Sequence, residues 1–298
     1  MKLPNRIAAI ALVVAAAFAT PAAAGLYFEQ TVETTGRGQA ADMRVRGWAD
    51  GDKVRIDYLD SQHGVLKEGQ YLLTRDGGKT VFLIDPERKT YSQWDMAAVF
   101  SMLGNLEEAS AGMVKIDFRE PIAEPLGTRR GEPLLGYETN RHRWRTGYVM
   151  DMKVAFMDRS DRIETLSEAW VTPTLDDPAL RIWFNATPPT TGDPELDLIL
   201  TAQTERIDGM VLKLVQDTTT TDKKGKQSTS RTVMEVTTLR RETPEPAVFA
   251  MPVGYTETPL IPDLQAARGE AGDQPAAERE GGLSALKGLF GKRKKDDG

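Results

Sequence analysis

The sequence predicts a mainly β (α+β) protein, an antiparallel sheet accompanied by a few helices. Three observations carry this. Apolar and polar residues alternate with period two over most of the chain, the mark of half-buried strands. Asp-Gly signals separate successive runs at hairpin spacing. Within the body, only two stretches, one after Asp95 and one after Asp193, carry helix-start or helical-spacing signals.

Leu26 to Thr34 opens the sheet, and Met43-Arg44-Val45-Arg46 alternates cleanly. Asp50-Gly51 marks a hairpin, after which Lys53 to Tyr58 alternates again. Tyr71 to Thr74 and Thr80 to Ile84 flank a second hairpin at Asp76-Gly77-Gly78. Asp85-Pro86 closes that strand, and Lys89 to Gln93 resumes. Connections this short exclude parallel crossovers, so the order is an antiparallel meander. Asp95 then caps a helix over Met96 to Leu106, with Met96, Val99, Phe100 and Leu103 at helical spacing.

The sheet returns at Met113 to Phe118. Glu120 to Pro133 holds three prolines and reads as a loop. Strands follow at Leu134 to Arg145, Tyr148 to Asp158 and Arg162 to Val171. Asp193-Pro194-Glu195 starts a second helix running to about Glu205, with proline in the first turn. Gly209 to Thr219 and Ser228 to Arg241 close the body, joined by a polar, cationic tip at Asp222 to Gln227 that reads as a mobile hairpin end.

The ends of the chain read differently. Lys2 and Arg6, the apolar run Ile7 to Ala19, and Ala22-Ala23-Ala24 form the pattern of a secretory signal peptide cleaved after Ala24. The run is short of the roughly 20 residues that a membrane span needs. An alanine-rich leader of this kind places the product in a bacterial periplasm, where nucleotide cofactors are scarce. The body, 25–262, is one domain. Residues 263–282 are poor in apolar anchors and read as a disordered linker. Residues 283–298 form a cationic amphipathic tail: Leu283, Leu286 and Phe290 share one helical face, beside Lys292, Arg293, Lys294 and Lys295. That combination suits an anionic membrane surface.

Composition narrows the chemistry. The 298 residues carry a net charge of −6, against the basic domain of a nucleic-acid binder, so no nucleic-acid partner is expected. Cysteine is absent, which removes disulfides, thiolate metal sites and a cysteine nucleophile. The two histidines, His63 and His142, have no metal-ligand spacing, and Arg141 and Arg143 beside His142 repel a cation. There is no nucleophile elbow and no phosphate-binding glycine loop. Asp158 and Asp161 read as flanks of a turn rather than an acid–base pair. No metal, cofactor or catalytic residue is expected.

Several stretches carry a resemblance through their order: Met43-Arg44-Val45, Val54-Arg55-Ile56-Asp57, the run from Tyr71 to Pro86, Lys89-Thr90-Tyr91, Leu135 to Thr139, and Phe249-Ala250-Met251-Pro252-Val253-Gly254-Tyr255. In this order they resemble bacterial envelope proteins related to the lipoprotein carrier LolA and its receptor LolB. The resemblance spans about Gly25 to Tyr255. It implies a curved antiparallel sheet, an unclosed barrel, with helices over its concave side and acyl chains held between. The chain departs from that group in its length, its long loops, its cationic tail and the lack of a lipid-anchor cysteine.

Two functions follow as expectations. One is a periplasmic, non-catalytic binding protein that holds a lipid, an acylated protein or another apolar ligand, with Val45, Ile56, Leu73, Val154 and Phe156 in the wall of the cavity. The other is a structural or regulatory envelope module that binds a protein partner, its concave face filled by its own side chains. A hydrolase built on His63 or His142 ranks below both.

Overall fold

The computed structural model describes residues 25–36, 42–63, 66–104, 114–154, 157–175, 190–204 and 209–259. In chain order the strands are β1 (Leu26–Gly36), β2 (Met43–Asp50), β3 (Lys53–Ser61), β4 (Tyr71–Thr74), β5 (Thr80–Asp85) and β6 (Thr90–Asp95). Helix α1 (Met96–Gly104) follows, then β7 (Val114–Arg130), β8 (Asn140–Val154) and β9 (Met157–Thr172). Helix α2 (Pro194–Thr204), β10 (Met210–Asp222), β11 (Gln227–Arg241), a 3₁₀ turn (Pro246–Phe249) and β12 (Thr256–Glu257) complete the chain.

All twelve strands belong to one curved, open sheet, ordered β12-β6-β5-β4-β3-β2-β1-β11-β10-β9-β8-β7. The long-range closure is β1 against β11, and β12 joins β6 in parallel; the other described pairs are antiparallel. Curvature shows in the packing. Leu134 and Tyr137, in the turn between β7 and β8, pack against a core cluster that runs from β1 to β4 through β11 and β10 to Leu175. Leu175, just past β9, joins the same core.

Local chemistry explains most elements. Asp50 pairs with Lys53 across a two-residue turn in which Gly51 takes φ +61°, a region that favours glycine. The Asp76 carboxylate closes the β4–β5 turn by accepting from the Thr80 amide and the Thr74 hydroxyl, each at 3.0 Å. Asp95 caps α1 by accepting from the Ala98 amide at 3.0 Å, and Asp193 caps α2 through the Leu196 amide at 2.9 Å. At the β10–β11 tip the Asp222 carboxylate accepts from the amides of Lys224 and Lys226, while Lys223 Nζ donates to the Asp158 carbonyl. The tip is thus held by Asp222 at Lys224 and Lys226 and by the Asp158 carbonyl at Lys223.

Two sequence expectations are corrected. Most of the proline-rich stretch 120–133 is strand, not loop: β7 runs through Pro121 and Pro125 to Arg130. The prolines are tolerated because β7 is an edge strand and because its register with β8 breaks at Arg119/Ile122 and Pro125/Gly127. Likewise β8 and β9 are two long, continuous strands. Gly147 does not interrupt β8, since it pairs with Ile122 on one side and Glu164 on the other. Asp158 and Asp161 therefore lie inside β9, opposite Lys153 and Met150, rather than flanking a turn. The helix ends expected at Leu106 and Glu205 lie outside the described residues.

Candidate functional site

In an antiparallel pair, residues directly opposite share a face. Phe28 faces Gly47, Gly47 faces Ile56, and Ile56 faces Leu72, so these residues line the inner face across β1 to β4. Val45 and Ile56, both expected in the wall, are fully buried there. Gly47 makes room for Phe28: a Cβ at this position would lie 2.2 Å from the Phe28 ring.

One row on this face is chemically distinct. Gln30 faces Val45 and Val45 faces Tyr58, so two polar side chains flank an aliphatic one across three strands. Gln30 is 4% exposed and Tyr58 1% exposed. Gln30 Oε1 and the Tyr58 hydroxyl are buried with no hydrogen-bond partner among the described residues. Burial pushes the Tyr58 pKa far above its ordinary value, so the group stays a neutral hydroxyl. Trp94 Nε1 and Trp144 Nε1 are buried donors without partners on the same face. An unmet buried polar group costs about 1–3 kcal/mol. The inner face is thus an apolar floor with a few unmet donors and acceptors.

Farther along β8 to β11 the inner face turns hydroxylic. Thr34 meets Thr232 at 3.3 Å, Thr165 meets Thr218 at 3.0 Å, and Gln216 Nε2 donates to Ser167 Oγ at 3.4 Å. A recess of about 240 Å³ opens at the strand ends nearby, lined by Thr35, Gly36, Asp217, Thr218 and Arg231 among others.

Of the other expected wall residues, Leu73 does not join this surface. Leu73 faces Arg55, which faces Trp48, so Leu73 belongs to the outer face. There it packs with Tyr71, Ile84 and Phe249 under the C-terminal segment. Val154 ends β8 opposite Met157. Phe156 lies outside the described residues, as do the leader 1–24, the linker 263–282, and Leu283, Leu286, Phe290, Lys292, Arg293, Lys294 and Lys295 of the tail.

The outer face carries two charged–aromatic clusters. In the first, Asp57 pairs with Arg46 at 3.0 Å and Arg55 at 2.7 Å. Arg55 lies 3.9 Å from the Tyr71 ring centre and donates to the Val248 carbonyl at 3.2 Å, tying down the 3₁₀ turn. In the second, Glu168 pairs with Arg141 and with Arg143, the latter at 2.7 Å. Burial opposes ionisation of Glu168, but the Arg141 hydrogen bond and the two cations outweigh it, so its pKa lies below the usual value. Arg141 and Lys213 lie 4.8 and 5.7 Å from the Trp170 ring centre.

The histidines are built into local structure. His63 Nδ1 accepts from the Leu66 amide at 3.2 Å, and His142 Nδ1 lies 3.1 Å from the Thr128 hydroxyl. Burial lowers the pKa of His142. Among the described residues no group of acidic and histidine side chains is arranged to hold a metal. No described helix is long and apolar enough to cross a membrane.

The unmet polar row was missed from sequence, although a signal was present. Gln30 keeps phase with Leu26 and Phe28, and Tyr58 keeps phase with Val54 and Ile56, so alternation alone places both on the buried face.

No protein-family model matches the chain, and no curated protein matches it. Solved structures overlap it loosely. PNGF-II, in two crystal forms, aligns with 79% of the chain at 14% identity and TM-scores of 0.29 and 0.30; the chain spans only about a third of PNGF-II, 31% and 32%. A DUF1329 family protein from Desulfovibrio piger covers 77% of the chain and 91% of itself, at 10% identity and TM-score 0.29. A domain ascribed to outer membrane lipoprotein sorting in Vibrio parahaemolyticus covers 76% and 89%, at 11% identity and TM-score 0.26. The structural neighbours thus include the lipoprotein-sorting group that the sequence resembles. Overlaps this loose carry no argument about activity.

Proposed function

We propose that the chain is a non-catalytic binding protein of the bacterial periplasm that holds a lipid, an acylated protein or another apolar ligand on the inner face of its sheet. One observation carries this reading: the row Gln30–Val45–Tyr58, an aliphatic floor flanked by a buried acceptor and a buried hydroxyl that no described residue satisfies. An acyl group attached through an ester or amide fits such a row. Its chain covers the floor, its carbonyl accepts from the Tyr58 hydroxyl, and an amide linkage also donates its N–H to Gln30 Oε1. The leader pattern of residues 1–24 supports a periplasmic location, and a role in lipoprotein homeostasis of the envelope follows from the same ligand chemistry. The cationic tail, 283–298, would bring the loaded protein to anionic lipid.

A second reading is favoured by a different observation. Val45, Ile56 and Leu212 are fully closed off by their neighbours, and the recess at Thr35, Thr218 and Arg231 lies elsewhere. On that reading the inner face is a filled core, and the protein is an envelope module that binds a protein partner. Native mass spectrometry of protein purified gently from its own periplasm decides between them. A mass excess that is lost on denaturation and fragments as an acyl species upholds the ligand reading. A bare protein mass overturns it and favours the module.

A further inference from the structure

The outer face carries a second site, independent of the inner one. Arg129 of β7 stands directly opposite Arg141 of β8, Arg141 opposite Trp170 of β9, and Trp170 opposite Lys213 of β10. Three cations and an indole therefore share one row across four strands. Like charges placed opposite each other in a sheet are destabilising. Two of these cations have counter-charges: Arg141 shares Glu168 with Arg143 of the neighbouring row, and Lys213 lies 3.4 Å from Glu235. Arg130 is held by Glu138 at 2.6 Å. Arg129 has no ion-pair or hydrogen-bond partner among the described residues, and the buried Nε of Arg141 is also unpartnered.

These groups surround a recess of about 320 Å³, lined by Arg129, Arg130, Gly131, Glu132, Arg141 and Trp170. Its wall is fixed by backbone. The Gly131 amide donates to the Thr139 carbonyl at 2.9 Å, and a Cβ at Gly131 would lie 2.4 Å from Thr139 Oγ1 and 3.0 Å from the Trp170 ring. Only glycine lets the chain leaving β7 pass this close to the indole. Arg141 is likewise held in place by Glu168 on one side and the Trp170 face on the other.

We infer that this recess binds a phosphoryl group, carried by a phosphate ester or a phospholipid headgroup. A tetrahedral anion offers oxygens to more than one guanidinium fork at once, and it removes the Arg129–Arg141 repulsion that the empty sheet retains. Glu132 at the rim disfavours a second negative charge there and limits the site to a single anionic group.

The test uses the full chain at low ionic strength, where such contacts are least screened. Inorganic phosphate and glycerol 3-phosphate are titrated calorimetrically, and sedimentation is measured with phosphatidylglycerol and with phosphatidylcholine vesicles. Arg129→Gln is compared with Arg44→Gln, which removes the same charge from an exposed arginine of β2; both variants are matched to the parent by urea midpoint. The expected result is saturable binding that weakens about tenfold in Arg129→Gln, the loss of one charged hydrogen bond, and holds in Arg44→Gln. Arg129-dependent sedimentation with phosphatidylglycerol makes the source a lipid headgroup. Arg129-dependent binding of the soluble phosphates alone makes it a free phosphate ester. Equal loss in the two variants, or no Arg129-dependent binding of any probe, overturns the site.

Discussion

Phe28 and Gly47 show how a single position sets the inner face. The fully buried Phe28 ring lies over the space where Gly47 lacks a side chain, directly opposite in the β1–β2 register. Gly47→Ala must push that ring aside in a packed core, and such overpacking costs about 1–3 kcal/mol. A urea titration should show the loss as a lower midpoint with unchanged slope. Tyr58→Phe tests the opposite sign. Its hydroxyl is buried without a partner, so in ligand-free protein its removal should stabilise by about 1 kcal/mol. A lower midpoint would mean that the hydroxyl is satisfied in solution. Titration effects belong to this scale too. His142 has a lowered pKa in the folded state, so its contribution is full above the ordinary histidine value of 6.5 and is lost as pH falls through the folded value. Glu168 and Asp197 also have lowered pKa values, and their contributions fade as pH falls from the ordinary carboxylate range through their folded values. Melting temperature should therefore decline in two stages on acidification, the first below about pH 6.5 and the second below about pH 4. His142→Gln should remove the first stage only.

At the scale of elements, the two edges of the sheet are managed differently. β12 shields part of β6, whereas β7 protects itself with Pro121, Pro125 and two register breaks. An edge strand of this length without such devices invites pairing with another chain. Replacing both prolines with valine should therefore produce dimers or larger species in light scattering, with the melting temperature little changed; a strictly monomeric variant would contradict this role. The same element shows where sequence reasoning stops. Much of the β1 to β6 meander was legible because β2 and β3 alternate and the β2–β3 and β4–β5 turns carry glycine at positive φ. β7 was not legible, because whether a proline can sit in a strand depends on which neighbour is absent, and that is a tertiary fact. The site divides in the same way. Val45 and Ile56 follow from alternation in half-buried strands. Leu73 does not, because all four residues of β4 are buried, so the pattern holds no information about which face is inner.

The molecule as a whole is a sheet whose far end bends back over its beginning, and this bend is the place where a ligand reading must be tested. Leu134 and Tyr137, carried on the β7–β8 turn, are partly buried against the core cluster that β1 to β4 share with β10, β11 and Leu175, and residues of β8 and β9 supply much of the separate Trp144–Ala169–Val171–Val211 cluster. That turn packs on the same buried cluster to which the inner face of β1 to β4 belongs. An apolar ligand that reaches Val45 must displace side chains that now cover it, and the turn contact is small: partial burial of two apolar side chains stabilises by about 1–3 kcal/mol in total. A contact of this size is weak enough to open thermally and strong enough to keep the empty face from water. Leu134→Ser combined with Tyr137→Ser should then act on two observables at once. Urea stability should fall by about 2 kcal/mol, and uptake of a fluorescent fatty acid, followed by stopped flow, should become several-fold faster because opening no longer competes with the turn contact. Rates and stability need not change together. If stability falls while uptake stays at the parent rate, the turn is ordinary core packing and access to the inner face lies elsewhere. If neither variant nor parent takes up the probe, the inner face is a filled core and the protein acts through its outer surface.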